Sequence, residues 1–494
     1  MNCRRISIPL WVAATATVAN AAPAGAATLQ VGPGKTYAKP CDAIAKAQAG
    51  DTIEVDAGSY NGDTCAWSTD NLTIRGVNGR ARIDLTGVTP VQKKGIFTIS
   101  ANNTTIESFE LSGAVLSASD GNNGAGVRFQ GQNLTLRNCF LHDNQDGILG
   151  APATANTGVI LIEKSEFAAN GAGDGFSHNM YIGNFAEFTL KDSYSHAAKV
   201  GHLFKSRAYV TFVLYNRLTD ESGATASYEV DIPNGGTAYV IGNVIEQSAA
   251  SQNPAIITFG EEGTPAGYDT RLFIVNNTVL NYLGSGTFVV DTTPTPAVIS
   301  NNIFWNGGKD TSQAAAVLTS NFDSAMGDPM FVDVANYDVH LRTGSPCIDK
   351  GTDPGKNGAQ SLAPAWEYVH PLSETVRTVV GAAVDMGAYE FGLSADAGII
   401  GAGGDASSDA PNVSGGGDGA GGDEGAGASA GADAGRSGGV GIAGDGGRSS
   451  AASGSSSGCG CAVAASPRGV AFALAGEGLL VLLAIGRRVT SRRR

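Results

Sequence analysis

Leu136-Arg137-Asn138, Ile162-Glu163-Lys164, Leu190-Lys191-Asp192, Leu214-Tyr215-Asn216, Ile241-Gly242-Asn243, Val275-Asn276-Asn277 and Ser300-Asn301-Asn302 write one pattern seven times. The first place is mostly apolar, the second is free, and the third is Asn or a polar stand-in. The third places step along the chain by 26, 28, 24, 27, 34 and 25 residues. A unit of this length holds a few short strands and turns and cannot bury a core alone; stacked on its neighbours it can. Successive strands then lie ~4.8 Å apart. Equivalent Asn amides can donate to one rung and accept from the next. The spacing therefore predicts an all-β solenoid of stacked coils.

The rest of the chain divides around this stack. Its 494 residues include 69 Gly and only 16% charged residues, which suits many turns and also a flexible linker. Residues 1–27 read as an export signal: Arg4 and Arg5, an apolar run from Ile6 to Val18, then small-x-small cleavage sites at Ala19-Asn20-Ala21 and Ala24-Gly25-Ala26. Residues 394–458 are almost wholly Gly, Ala, Ser and Asp and are expected to be a disordered linker. Residues 459–494 hold Cys459 and Cys461, an apolar run from Gly469 to Gly486 and a terminal Arg cluster. That run is long enough to span a bilayer, and the Arg cluster would keep its end in the cytoplasm. The charges of the two ends and the linker nearly cancel, so the net charge of −14 belongs to the body, 28–393. An acidic body argues against a nucleic-acid partner. It leaves room for an acidic polysaccharide, because local basic clefts override net charge.

Within the body, Lys39 to Ala49 has Ala43, Ile44 and Ala47 at helical spacing and ends at Gly50-Asp51, predicting a helix that plugs the open end of the stack. Leu72–Ile74, Thr104–Ile106 and Ala255–Phe259 read as short strands. Export permits disulfides, and Cys41 and Cys65, one coil apart, are positioned to bridge. Cys139 reads as a small buried hydrophobe in preference to a partner for Cys347.

This pattern resembles the right-handed parallel β-helix family of pectate lyases and related polysaccharide enzymes. Ala43-Ile44, Ala49-Gly50-Asp51-Thr52-Ile53 and Ala57-Gly58-Ser59-Tyr60 resemble that family's opening. Gly327-Asp328-Pro329-Met330-Phe331, Val339-His340-Leu341, Gly344-Ser345-Pro346-Cys347 and Asp385-Met386-Gly387-Ala388-Tyr389-Glu390 resemble the closing region (327–393) of a family of bacterial surface β-helix proteins. The order of cysteine, apolar helix and Arg cluster resembles myxobacterial C-terminal sorting tails. That resemblance implies surface attachment through Cys459 or Cys461, with the helix retained as an anchor or removed. A surface or outer-membrane location and a monomeric chain are expected.

Chemistry gathers in 174–262: Phe176-Ser177-His178-Asn179-Met180-Tyr181, then His202-Leu203-Phe204-Lys205-Ser206-Arg207, Tyr228-Glu229-Val230-Asp231 and Phe259-Gly260-Glu261-Glu262. Counted from Asp192 and Asn216, Lys205 falls beside Glu229 and Arg207 beside Asp231, with Glu229 and Asp231 outward on one strand face. β-Elimination on a uronate chain needs a clamp for the sugar carboxylate, a base for the α-proton and an acid for the leaving oxygen. Arg207 fits the clamp, Lys205 or His202 the base, Tyr181 or His178 the acid, and Asn179 the orientation of substrate. Glu229 and Asp231 are also candidate calcium ligands, or an acid/base pair for glycoside hydrolysis. The β-helix polygalacturonases carry Gly-His-Gly and Arg-x-Lys motifs, whereas here Gly201-His202 precedes Leu203 and the basic motif runs Lys205-Ser206-Arg207. The favoured expectation is a lyase-like enzyme on an anionic polysaccharide. The alternatives are a non-catalytic adhesin or exopolysaccharide-binding protein, whose Lys205–Glu229 and Arg207–Asp231 pairs form only a surface ladder, and a glycoside hydrolase.

Overall fold

A computed structural model describes residues 25–393. Nearly all of the predicted signal, the linker 394–458 and the tail with Cys459 and Cys461 lie outside the described residues. No helix among the described residues is long and apolar enough to cross a membrane.

Each coil feeds two sheets. One has ten strands and the other twenty, and strands pair in parallel with those of the next coil. The architecture is the expected right-handed parallel β-helix. Ile106, Leu136, Ile162, Leu190, Val213, Val240, Ile274 and Ile299 are successive lateral partners and fully buried. Stacked Phe188–Phe204 and Phe129–Phe185 rings fill the same interior.

Register at the sheet corner differs from the sequence pattern by one place in three coils. After each column residue comes an outward residue, then one in the left-handed backbone region, then the ladder residue. Asn138 (φ 52), Lys164 (φ 47) and Asp192 (φ 49) occupy the left-handed place, as do Tyr215 (φ 54), Asn276 (φ 52) and Asn301 (φ 58). The ladder instead runs through Cys139, Ser165 and Ser193 to Asn216, Asn243, Asn277, Asn302 and Asn321. Asn suits both places, the first because it, like Asp, tolerates positive φ and the second because its amide both donates and accepts. That double suitability causes the slip. From Asn216 on, each amide donates to the next carboxamide oxygen at 2.9–3.0 Å. Gly242 fills the left-handed place of its coil because a Cβ there would meet the Tyr215 ring at 2.7 Å.

The entry helix is shorter than expected, Pro40–Ile44. Pro40 fixes its first turn, and the following hydrogen bonds tighten to three-residue turns at Lys46 and Ala47. Its apolar residues Ala43, Ile44 and Ala47 are buried as expected. Cys41 and Cys65 are bonded, with Cα atoms 5.6 Å apart, tying this cap to the first strand of the ten-stranded sheet. The bridge closes a separation of 24 residues. Replacing both cysteines by Ser should therefore lower unfolding free energy by about 3 kcal/mol, read from urea melts. Cys139 and Cys347 are free, buried and in separate apolar clusters.

The closing region forms antiparallel pairs, Phe331–Asp333 with Asp338–Leu341 and Trp366–Val369 with Ser373–Val376. It folds back over the outside of the twenty-stranded sheet. Leu362 and Trp366 cover Tyr215, Tyr239 and Phe273, and the Tyr215 hydroxyl accepts from the Ala365 amide at 3.0 Å. The outer face of the ten-stranded sheet carries the candidate chemistry.

Candidate functional site

In-register parallel pairing lines up one residue per coil. On the ten-stranded sheet Arg128, Leu149, Tyr181, Lys205, Asp231 and Thr258 are successive lateral partners, and they form one outward column. Val230 and Ile232 flank Asp231 along its strand and are buried in the core, as alternation requires.

Lys205 therefore stands beside Asp231, and the expected Lys205–Glu229 and Arg207–Asp231 pairs do not form. Lys205 lies 12 residues after Ser193, whereas Asp231 lies 15 after Asn216. The coil that contains Asp231 spends its extra residues in the turn before the strand, and this carries Glu229 off the outward face.

Lys205 Nζ lies 2.8 Å from Asp231 Oδ2 and 3.5 Å from Glu262 Oε1. Arg207 Nη2 lies 2.7 Å from Glu262 Oε2, its Nε donates to the Tyr181 hydroxyl at 2.8 Å, and its Nη1 donates to Asn234. Both cations sit over the Tyr181 ring, 5.7 and 5.6 Å from its centroid. Glu262 is half exposed. The two cations thus converge on one carboxylate at the surface, on an aromatic platform. Concavities among the described residues lie elsewhere, between Trp305 and the closing region; in the column itself Lys205, Asp231 and Thr258 are buried beneath Arg207 and Glu262, which reach the surface.

Behind this face sits a supporting layer. His202 Nδ1 approaches Asp231 Oδ2 at 3.1 Å, and Thr258 donates to Asp231 Oδ1 at 2.8 Å. Burial works against the Asp231 anion, yet His202 and Lys205 together hold its pKa well below the carboxylate range. The His202 ring packs between His178 (4.3 Å) and Tyr228 (4.8 Å) and is almost fully buried. Burial pushes its pKa down, assisted by Lys205 and opposed by Asp231. His178 is buried, and its Nδ1 accepts the His202 amide at 3.0 Å. Burial, then His202 and Lys205, push its pKa far down. A histidine held neutral with one nitrogen occupied does not suit the acid role expected of it, so His178 belongs to the support.

Asn179 is also placed differently. It is fully buried, accepts from Asn170 Nδ2 at 2.9 Å and donates to Ser195 Oγ and the His196 carbonyl. With Asn144 and Asn170 it forms a second internal ladder, so it does not face a substrate.

Glu229 is fully buried, and neither carboxylate oxygen has a partner. Burial first, then Asp220 and Glu246, push its pKa far up. Burial also raises Asp220 to about 7 and Glu246 to about 8. Glu229 and Asp231 consequently form neither a hydrolytic pair nor a calcium site. Among the described residues no group of three or more His, Cys, Asp or Glu is arranged to hold a metal. The three buried carboxyls predict a pH effect. Unfolded, they lose protons from about pH 4; folded, Asp220 keeps its proton to about pH 7, Glu246 to about pH 8, and Glu229 well above the ordinary carboxyl range. Their contribution to stability is thus complete below about pH 4 and is lost as pH rises through 7 and 8. Glu229→Gln should flatten that loss, measured as urea midpoints between about pH 5 and pH 9.

The sequence marks Lys205, Arg207, Tyr181, His202 and Asp231, which the structure brings together. It gave no role to Glu262, Asn234 or Thr258, which come from neighbouring coils, nor to Arg128, two rungs before Tyr181 in the column. No family model matches this chain, and no curated protein does. Solved structures do. Pectate lyase Pel9A is 15% identical, with a TM-score of 0.50 over 74% of this chain and 96% of that one. An alginate lyase from Paenibacillus sp. is 14% identical, with a TM-score of 0.34 over 59% of this chain and 97% of that one. Pectin methylesterase PemA from Erwinia chrysanthemi is 12% identical, with a TM-score of 0.28 over 65% and 94%. At these identities the likeness to Pel9A speaks for architecture: the chain has the parallel β-helix fold that this pectate lyase has.

Proposed function

We propose that the outward column of the ten-stranded sheet is a lyase site acting on an anionic, uronate-bearing polysaccharide. The observation that supports it is the convergence of Lys205 and Arg207 on one surface carboxylate, that of Glu262. A sugar carboxylate offers the same two oxygens and would take Glu262's place. Arg207, already oriented by Tyr181 and Asn234, would pair with it in a fork. This neutralises the carboxylate and acidifies the proton on the adjacent ring carbon.

With the sugar carboxylate held by Arg207 in the place of Glu262, Lys205 stands as the base beside the adjacent ring carbon, and in that role its ammonium first gives a proton to solvent. The neutral amine then removes the α-proton. The electron pair forms the new carbon–carbon double bond as the glycosidic oxygen leaves, and the Tyr181 hydroxyl supplies that oxygen's proton. His202, neutral and packed between His178 and Tyr228, fixes Asp231, which in turn fixes Lys205. No step is routed through calcium, because the residues present do not assemble a site for it.

A non-catalytic binding surface is the second reading, favoured by the close Lys205–Asp231 pair, which satisfies Lys205 without any substrate. Incubation with a panel of polyuronates separates the two. The lyase reading expects the ultraviolet absorbance of an unsaturated uronate to rise. The binding reading expects retention of the polymer with no new absorbance. The Cys41–Cys65 bridge suits an oxidising compartment. We place the protein at the cell surface, attached through the tail that bears Cys459 and Cys461. Biotinylation of intact cells should label it, and labelling only after lysis refutes that location.

A further inference from the structure

Three rungs from Lys205 the same column holds another cation. Arg128 partners Leu149, Leu149 partners Tyr181, and Tyr181 partners Lys205. At the parallel-strand spacing this sets the backbones of Arg128 and Lys205 about 14 Å apart, roughly the length of three linked hexuronate units.

Arg128 differs from the two cations of the candidate site. Lys205 and Arg207 are each paired with a carboxylate. Among the described residues Arg128 makes no ion pair and no hydrogen bond, and its Nε is buried without a partner. Its acidic neighbour Asp146 is almost fully buried and accepts the His178 amide at 2.8 Å instead. Lys94 reaches Gln130, two residues beyond Arg128 on the same face, at 3.3 Å, and it too has no carboxylate among the described residues. A partly desolvated guanidinium with no anion is costly. Between the two basic places lie the rung of Leu149, whose side chain is buried, and then the half-buried Tyr181 ring.

We propose that Arg128, with Lys94 beside it, binds a second carboxylate of the same polyuronate chain, which then lies along the stacking axis across Leu149 and Tyr181. This rests on reading Lys205 and Arg207 as a uronate site. It adds a direction for the chain, a minimum length of about four units and a requirement for charge at both ends.

The test is calorimetric titration of the full-length protein, at low temperature to slow turnover, with galacturonate oligomers of two and of five units. The proteins are the wild type, Arg128→Ala, Arg128→Lys and Arg207→Ala. Arg128→Ala should weaken pentamer binding about tenfold, the worth of one charge-assisted pair, and leave the dimer unchanged. Arg128→Lys should restore most of the loss, which a merely unfolded variant would not allow. Arg207→Ala should weaken both oligomers. Pentamer affinity unchanged in Arg128→Ala, with Arg207→Ala weakened, overturns the second subsite and leaves the first standing. An equal loss for dimer and pentamer in Arg128→Ala overturns it as well. A wild type that binds neither oligomer overturns the uronate reading and the subsite with it.

Discussion

Replacing Lys205 by alanine should lower the rate of unsaturated-product formation by about a thousandfold, the range expected when a general base is removed. Binding of the polymer should fall much less, because Arg207 and its supports Tyr181 and Asn234 remain. Lys205→Arg should not restore the rate, since a guanidinium stays protonated. The substitution also strands a carboxylate. Asp231 is buried against Lys205, and removing one partner of a buried pair destabilises by about 3 kcal/mol or more. The double variant Lys205→Ala, Asp231→Asn removes that orphan charge. It should recover much of the lost stability while remaining inactive. A double variant that regains activity would exclude Lys205 as the base, and a folded Lys205→Ala protein with the wild-type rate would exclude it outright. Glu262→Gln should move in the opposite direction. It removes the chain's own occupant of the carboxylate place and should lower KM severalfold with little change in kcat.

The second large effect concerns stability. Asn243 accepts from the Asn216 amide and side chain and donates to the Val213 carbonyl and to Asn277, all in the buried interior. Asn243→Ala leaves these groups without partners and should cost about 4 kcal/mol, since each stranded buried group costs about 1–3 kcal/mol. Asn138, in the exposed left-handed place of its corner, touches Ser108 and Arg80 at the surface. Asn138→Ala should cost only about 1 kcal/mol, mostly for positive φ without an Asn side chain. Urea unfolding of the two variants distinguishes a true ladder position from its neighbour. Equal losses would contradict the ladder register.

Both cases turn on what a residue type reveals about its place in the coil. Repetition near 26 residues reveals coils, because every coil must present the same apolar column to the same interior. Asn216, Asn243, Asn277 and Asn302 are legible as a ladder for that reason. The slip at Asn138, Lys164 and Asp192 arises where Cys139, Ser165 and Ser193 stand in for the ladder amide while a polar residue stands just before them. Glu229 escapes the count for a different cause. The turn leading into Asp231 is longer than its counterpart in the preceding coil, and loops are under no obligation to keep the period of the strands they join. Lys205, Arg207 and Tyr181 are legible as a cluster because strands on one sheet return to the same place. Glu262 is not, because its role depends on how a loop beyond its strand bends back across two earlier coils.

Under the proposed subsite, the separation of the two carboxylate places is set by the backbone. Distances along the outward column are fixed by backbone hydrogen bonds between coils, which side-chain substitution leaves intact. Point mutations can alter which charge stands on a given step, but the steps themselves stay about 4.8 Å apart. Adding or deleting a whole coil between Arg128 and Lys205 is the route by which their separation changes. The strip thus behaves as a ruler graduated in single coils, and the length it measures changes by whole graduations.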